Sequence, residues 1–266
     1  MDVYADLFRY RELFGSLFRR DLRAKYKGSV LGLAWSLANP ILLMLVYLLV
    51  FSVLWKAPAT NLEHYWLFLL CGLPTWVFFA TSLQAGSRSL LENANLIRKV
   101  RFPRQLVPLS NVATQLVSFG VMLAVVIVLS LIYVPHARGV VWLSIPLAAL
   151  VVGLVAGMAL AAASANAVFR DVEHIIAALL LPWFFLTPVL YSLESIPAAK
   201  SVDWVVTFLR YLNPVTPYVE GIRGALWGGF IVSAPELVYM AVVGPAFAVL
   251  GLWVLNRHED RLAIEL

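Results

Sequence analysis

The chain has 266 residues, 62% of them hydrophobic and 13% charged, with a mean hydropathy of +0.85 and a net charge of +5. A soluble domain averages about a quarter charged residues and under half apolar ones, and a core of this size still needs a polar skin. The composition excludes a soluble globular protein and leaves an integral membrane one. Apolar runs of about 20 residues, rather than short alternating segments, argue against a β-barrel.

The first 29 residues are charged, and no small-x-small cleavage site follows a short apolar stretch, so no cleavable signal peptide is expected. Leu7, Tyr10, Phe14 and Leu17 recur at helical spacing with Phe18 beside them, while Arg9, Arg11, Arg19, Arg20 and Arg23 carry charge. The pattern predicts an amphipathic helix lying in the membrane interface, basic face toward anionic headgroups; a plain topology anchor reads the same. Six spans follow, near Val30–Trp55, Tyr65–Gly86, Leu106–Tyr133, Val140–Phe169, Ile175–Tyr191 and Val232–Leu255. In the first, Pro40 after Asn39 removes a backbone hydrogen bond and predicts a kink. The second holds Cys71, the only cysteine, so no intrachain disulfide forms. The fourth aligns Gly153, Gly157, Ala161 and Ala165 on one face, which lets a neighbouring helix approach closely; packing within the subunit is favoured over a dimer seam.

Between the second and third spans lies "ENANLIRKVRFPRQLVP", with Arg98, Lys99, Arg101 and Arg104 in seven positions. Four such side chains at bilayer centre would cost about 10–14 kcal/mol, so the stretch is a connection. Its periodicity predicts a helix ended by Phe102–Pro103. A charged loop that only fixes topology is the plainer reading. Between the fifth and sixth spans, Asp203, Arg210, Glu220 and Arg223 interrupt each apolar stretch, and Asn213–Pro214 and Pro217 break it into two short helices at the outer face. Glu220 and Arg223, three apart, are expected to pair.

With both termini in the cytoplasm, fifteen Lys/Arg lie inside and five outside (Lys56, Arg138, Lys200, Arg210, Arg223). The positive-inside rule therefore puts the termini and the basic connection in the cytoplasm. The ionisable residues fall at span ends or in loops, Glu173, His174 and Glu236 included, so a proton-coupled carrier is disfavoured. There is no phosphate-binding G-x-x-x-x-G-K-[ST] loop. His64, His136, His174 and His258 are too scattered for a metal site, and no hydrolytic triad is visible. The chain is expected to be a transport subunit, not an enzyme. It holds no cofactor of its own and binds no nucleic acid, and its energy arrives from a partner.

Four stretches in order, "RRDLRAKYKGSVLGLAWSLANP" (Arg19–Pro40), "NANLIRKVRFPRQLVPL" (Asn93–Leu109), "FRDVEHI" (Phe169–Ile175) and "YLNPVTPYVEGIR" (Tyr211–Arg223), carry a family resemblance. The chain resembles the transmembrane subunit of type-2 ABC exporters for cell-surface polysaccharides, the O-antigen and teichoic acid exporters. The resemblance implies an all-α membrane fold. An interface segment (residues 1–29) precedes a six-span domain (residues 30–266), with a coupling helix near 87–103 and gate helices near 196–230. It implies a homodimer in the bacterial plasma membrane with two copies of a cytoplasmic ATPase that binds the ATP and magnesium. The substrate it implies is a glycan on a polyprenyl (pyro)phosphate lipid.

Carried onto this sequence, ATPase coupling falls on Glu92, Asn93, Asn95, Leu96, Ile97, Arg98 and Lys99, and the outer gate on Asn213, Pro214, Glu220 and Arg223. Spans one and five would line a conduit in which sugars stack on Tyr47, Phe51, Trp183 and Tyr191. Core packing or an aromatic belt is the alternative for such rings, Trp55 and Trp66 above all. Arg20, Arg23, Lys25 and Lys27 form a basic mouth for lipid phosphates, or serve topology alone. The rival readings are a type-2 exporter of a drug or small lipid, and a polyprenyl-phosphate-processing membrane enzyme. Against the enzyme stands the lack of paired acidic metal ligands.

Overall fold

The computed structural model describes residues 9–54, 64–100, 102–193 and 203–257, and among these the chain is helical with no strand. Leu7, Trp55, Lys56, Arg101, residues 194–202 with Lys200, His258 and Arg261 lie outside the described residues. Helix α1 spans Arg11–Tyr26 and α2 spans Trp35–Tyr47, the latter continuing as a π-helix over Leu48–Leu54. The 28-residue helices α3 (Tyr65–Glu92) and α5 (Leu106–Tyr133) flank the short α4 (Ala94–Lys99). Then come α6 (Ser144–Val168), α7 (Val172–Leu186), α8 (Asp203–Tyr211), α9 (Thr216–Arg223, prolonged by a π turn over Gly224–Gly228) and α10 (Ala234–Arg257).

Among the described residues, four stretches are long and apolar enough to cross a membrane: Tyr65–Glu92, Leu106–Tyr133, Val141–Val168 and Ala234–Arg257. They match the second, third, fourth and sixth expected spans. The other two differ: α2 and its π continuation run over Trp35–Leu54, and Val172–Leu186 is a shorter apolar helix, below the roughly 20 residues that cross 30 Å upright. Each shortening has a local cause. Gly28 (φ 75°) and Gly32 (φ 47°) hold left-handed backbone, so α2 begins at Trp35 instead of Val30. Thr187 precedes Pro188, whose ring disfavours the helical conformation in the residue before it; Thr187 is accordingly extended (φ −93°, ψ 130°) and α7 stops at Leu186 instead of Tyr191.

Helix α3 is the centre of the bundle, buried along most of its length against α5 and α6. Phe78 of α3 stacks on Phe119 of α5 at 4.8 Å between ring centres. The closest approach is between α6 and α10. A Cβ added to Gly251 would lie 2.1 Å from the Gly157 carbonyl oxygen, and one added to Gly157 would lie 2.2 Å from the Phe247 backbone. Gly153 faces Gly244 on the same helix pair. The glycine half of the small-residue series therefore packs within the subunit, as expected.

A second apolar cluster closes one end of the bundle. Leu17 of α1 joins Leu90 of α3, Leu106 and Val107 of α5, Leu160 and Ala163 of α6, and Leu255 of α10. Arg88, Arg98, Lys99, Arg104, Arg170 and Arg257 belong to this same end, which is called the basic end below. From Leu17 onward α1 climbs beside α5. Asp21 accepts a hydrogen bond from Ser110 (3.0 Å), and Lys25, one turn later, donates to Gln115 and Ser118. The N-terminal helix thus runs parallel to α5 along its first turns.

Candidate functional site

At the basic end the expected coupling segment is divided. Ser87–Glu92 stays in α3, where the Ser87 and Ser89 hydroxyls donate to the Gln84 and Gly86 carbonyls (2.8 and 2.6 Å) and Asn166 Nδ2 on α6 donates to the Ser87 carbonyl (3.0 Å). Asn93 makes the corner, its φ at −104° and its amide donating to the Ser89 carbonyl at 2.8 Å. Only Ala94–Lys99 forms a separate helix, and Val100 is already extended (φ −130°, ψ 133°), ahead of Phe102–Pro103. Asn93 is buried, and Leu96 and Ile97 are half-buried against the Leu17–Leu90–Leu106 cluster. Glu92, Asn95, Arg98 and Lys99 point outward. Three of the seven expected coupling residues hold the helix to the bundle, and four present it.

The same corner reaches α7. Asn166 Oδ1 accepts from the Glu173 backbone N–H (3.0 Å), and Arg88 lies 3.5 Å from the Glu173 carboxylate. Asn166 therefore bonds the end of α3 and the start of α7 at once. Sequence reasoning passes over it; its one signal there is an amide in an otherwise Ala-rich apolar run.

The expected conduit aromatics are all half-buried. Tyr47 stacks on Phe184 of α7 (5.8 Å) and lies 6.3 Å from Phe51, while Phe184 also meets Trp76 of α3 (5.5 Å). Trp183 packs edge-on against Phe79 (5.0 Å). The faces that α2 and α7 leave open are aliphatic instead: Leu42, Leu45, Val46 and Leu49, and Leu179, Leu181 and Leu186 with Phe185. Tyr191 does not continue the helical spacing of Trp183, because α7 has ended; its hydroxyl turns back to donate to the Phe185 carbonyl (3.1 Å).

Asn213 ties this wall to the expected gate. Its Oδ1 accepts from Trp183 Nε1 (2.9 Å) and from the Val215 N–H (3.1 Å), and its Nδ2 donates to Thr187 Oγ1 (2.9 Å). Pro214 follows in the turn that leads into α9. Beyond it, α8, α9 and α10 share a charged network. Arg210 lies 3.7 Å from Glu220 and 3.5 Å from Glu236, and Glu220 lies 3.7 Å from Arg223, the expected i, i+3 pair. Arg223 is 5% exposed. A buried charge has to be compensated, and here its guanidinium donates to the Pro188 and Tyr191 carbonyls and lies 4.2 Å above the Phe68 ring. Glu236 also accepts from the Ser233 hydroxyl (2.7 Å) and N–H (3.3 Å), so its carboxylate reaches back over the start of α10. In the sequence, Arg210 and Glu236 stand out only as charges that interrupt or begin an apolar run.

The four cations of the expected basic mouth separate. Arg20, Arg23 and Lys27 line an open hollow with Ser16 and Arg19, and Arg20 pairs with Asp21 at 2.7 Å. Lys25 turns away from them toward α5.

Among the described residues these features amount to helices, open apolar faces and a charged network at the far end. The sequence pattern of the ABC-2 type transporter family matches residues 12–227. This chain belongs to the ABC-2 type transporter family. As an ABC-2 permease it is a membrane transport subunit and not an enzyme. It is 34% identical over 253 residues to the O-antigen export system permease protein RfbA of Myxococcus xanthus, covering 94% of this chain and 92% of that one. It is 30% identical to the protein of the same name from Klebsiella pneumoniae, over 95% and 94% of the two chains. It is 23% identical to the polysialic acid transport protein KpsM of Escherichia coli, over 93% of each.

Proposed function

We propose that this ABC-2 permease is the conduit subunit of an O-antigen-type exporter. Two copies, each with six spans and both termini in the cytoplasm, pair with two copies of a cytoplasmic ATPase. Together they move a polysaccharide on a polyprenyl (pyro)phosphate lipid outward across the bacterial plasma membrane. The relatives named for O-antigen export and polysialic acid transport support the substrate class, and they match over nearly the full chain. The observation that carries the mechanism is the bond from Trp183 to Asn213, since it joins a wall residue of α7 to the turn that starts the gate.

In this reading the dimer completes the surroundings of α2 and α7, their open aliphatic faces closing against the second copy. Tyr47, Phe51 and Trp183 lie behind those faces and reach the sugar when α2 and α7 shift against each other. Motion enters at the exposed side of α4 and passes through Asn93 to α3 and through Asn166 to α7. Arg210, Glu220, Arg223 and Glu236 hold the gate shut between strokes.

The test is export in proteoliposomes containing the permease, its ATPase and a lipid-linked polysaccharide. ATP-dependent movement of the glycan to the far side is expected from the wild type, and a loss of tenfold or more from Tyr47→Ala, Phe51→Ala and Trp183→Ala, each 1.4 kcal/mol of lost contact being about tenfold. Wild-type export by all three variants sinks the lining assignment. Transport of a small lipid but not of the glycan moves the protein to the drug and lipid exporters.

A further inference from the structure

One cation of α1 turns away from the others toward α5, its exposed side chain lying at the mouth of a cavity. Lys25 Nζ donates to Gln115 Oε1 at 2.6 Å and to Ser118 Oγ at 2.7 Å, and the Tyr26 hydroxyl shares a hydrogen bond with the same Ser118 oxygen at 2.9 Å. Because α1 climbs parallel to α5, this ammonium lies level with a point about 18 Å along the α5 axis from Leu106, at about 1.5 Å per residue. That is well inside a span-length helix. An ionisable group set against the side of an apolar helix, apart from any opposite charge, marks a candidate functional site.

The compensation present is incomplete. Both of its acceptors are neutral, and among the described residues no carboxylate pairs with Lys25. Asp21, one turn earlier on α1, is engaged by Arg20 (2.7 Å) and Ser110 (3.0 Å). Beside Lys25 opens a cavity of about 380 Å³ between α1, α2, α3 and α5. Its polar wall includes Asn39 and Thr81, and Trp35 and Phe78 supply aromatic faces. The result is a single positive charge, a ring of neutral hydrogen-bonding groups and an apolar surround. That combination suits an anion with several acceptor oxygens attached to an apolar chain.

We propose that this cavity seats the phosphate headgroup of a membrane lipid, with Lys25 bonding its oxygens and Gln115, Ser118 and Tyr26 completing the shell. The headgroup can belong to the polyprenyl pyrophosphate carrier or to a bilayer phospholipid. The first assignment rests on the export reading, and the second does not. Arg20, Arg23 and Lys27, in the open hollow, attract anionic lipids without holding one.

The transporter purified with its ATPase, in zwitterionic phosphatidylcholine nanodiscs, is titrated with undecaprenyl pyrophosphate and separately with phosphatidylglycerol, and bound lipid is counted by native mass spectrometry. Lys25→Met is expected to weaken binding tenfold or more, and Lys25→Arg to keep most of it. Where Lys25→Met does not assemble, Gln115→Leu combined with Ser118→Ala is measured in its place and is expected to weaken binding in the same way. Lys25-dependent carrier binding that phosphatidylglycerol cannot displace supports the carrier assignment. Equal, Lys25-dependent binding of phosphatidylglycerol supports the phosphate seat and assigns it to bilayer lipid. Binding of both lipids unchanged in these variants, in protein that elutes as the wild type does, overturns the proposal. Export of lipid-linked glycan by the wild type is scored in parallel: its absence sinks the export reading and leaves Lys25-dependent binding standing.

Discussion

Arg223 concentrates more of the far end's chemistry than any other side chain. It joins α9 to the turn after α7 through two carbonyls, to Glu220 through charge, and to α3 through the Phe68 ring. Removing its guanidinium leaves the buried Pro188 carbonyl and the Tyr191 carbonyl without this donor, at about 1–3 kcal/mol, and takes from Glu220 one of the two arginines beside it. Arg223→Met is therefore expected to lower the melting temperature of the detergent-purified protein markedly. Arg223→Lys should recover only part of the loss, because an ammonium lacks the planar fork that reaches the Pro188 carbonyl and Glu220 together. A melting temperature unchanged in Arg223→Met would show that Glu220 is satisfied without it. The pair with Glu220 is legible in the sequence from its three-residue spacing. The depth of Arg223 is not, because the carbonyls that make burial tolerable belong to residues 35 and 32 positions away.

At the level of elements, the α6–α10 contact is the most exacting in the bundle. Its glycines let two backbones meet, and no rotamer of a larger residue avoids a carbonyl 2.1 Å from Cβ. Gly251→Leu should cost more than the about 1–3 kcal/mol of ordinary overpacking, read as a fall in the yield of folded, monodisperse protein. Gly120, with open space around its Cβ position, is the control, and Gly120→Ala should leave that yield unchanged. For α4, Asn95→Pro removes no hydrogen bond that the first turn would make, yet it stiffens the approach from Asn93. Membrane insertion should survive while ATP hydrolysis parts from export; a wild-type coupling ratio would place the transmission elsewhere.

The four long helices are legible as apolar runs; the corner at Asn93 is not, because the helical periodicity of residues 87–100 runs straight through it. The ends of α2 and α7 are harder to read, for different reasons. Thr187–Pro188 is readable as a stop by the rule for residues before proline. The left-handed turns at Gly28 and Gly32 are not, since glycine permits that conformation without requiring it. The facing of Tyr47 and Trp183 escapes for a third reason: apolar helices in lipid have no polar face to orient a reading, and here the aliphatic side is the open one.

For the whole molecule, α4 is the only short helix presented at the basic end among the described residues, which makes its exposed side the natural contact for a soluble partner. Arg98→Glu with Lys99→Glu should reduce co-purification of the ATPase tenfold or more, and salt should weaken the wild-type contact in the same direction. Unchanged co-purification at low salt would refute the contact.

The Leu17–Leu90–Leu106–Leu160–Leu255 cluster bears on how the chain is made. Synthesis runs from α1 to α10, so of the cluster's buried members Leu17 emerges first and Leu255 last. Until then the N-terminal segment has an incomplete seat, and a nascent chain arrested before the last helix should leave α1 open to protease. The cluster that seats Leu17 is thus complete only when α10 has been made.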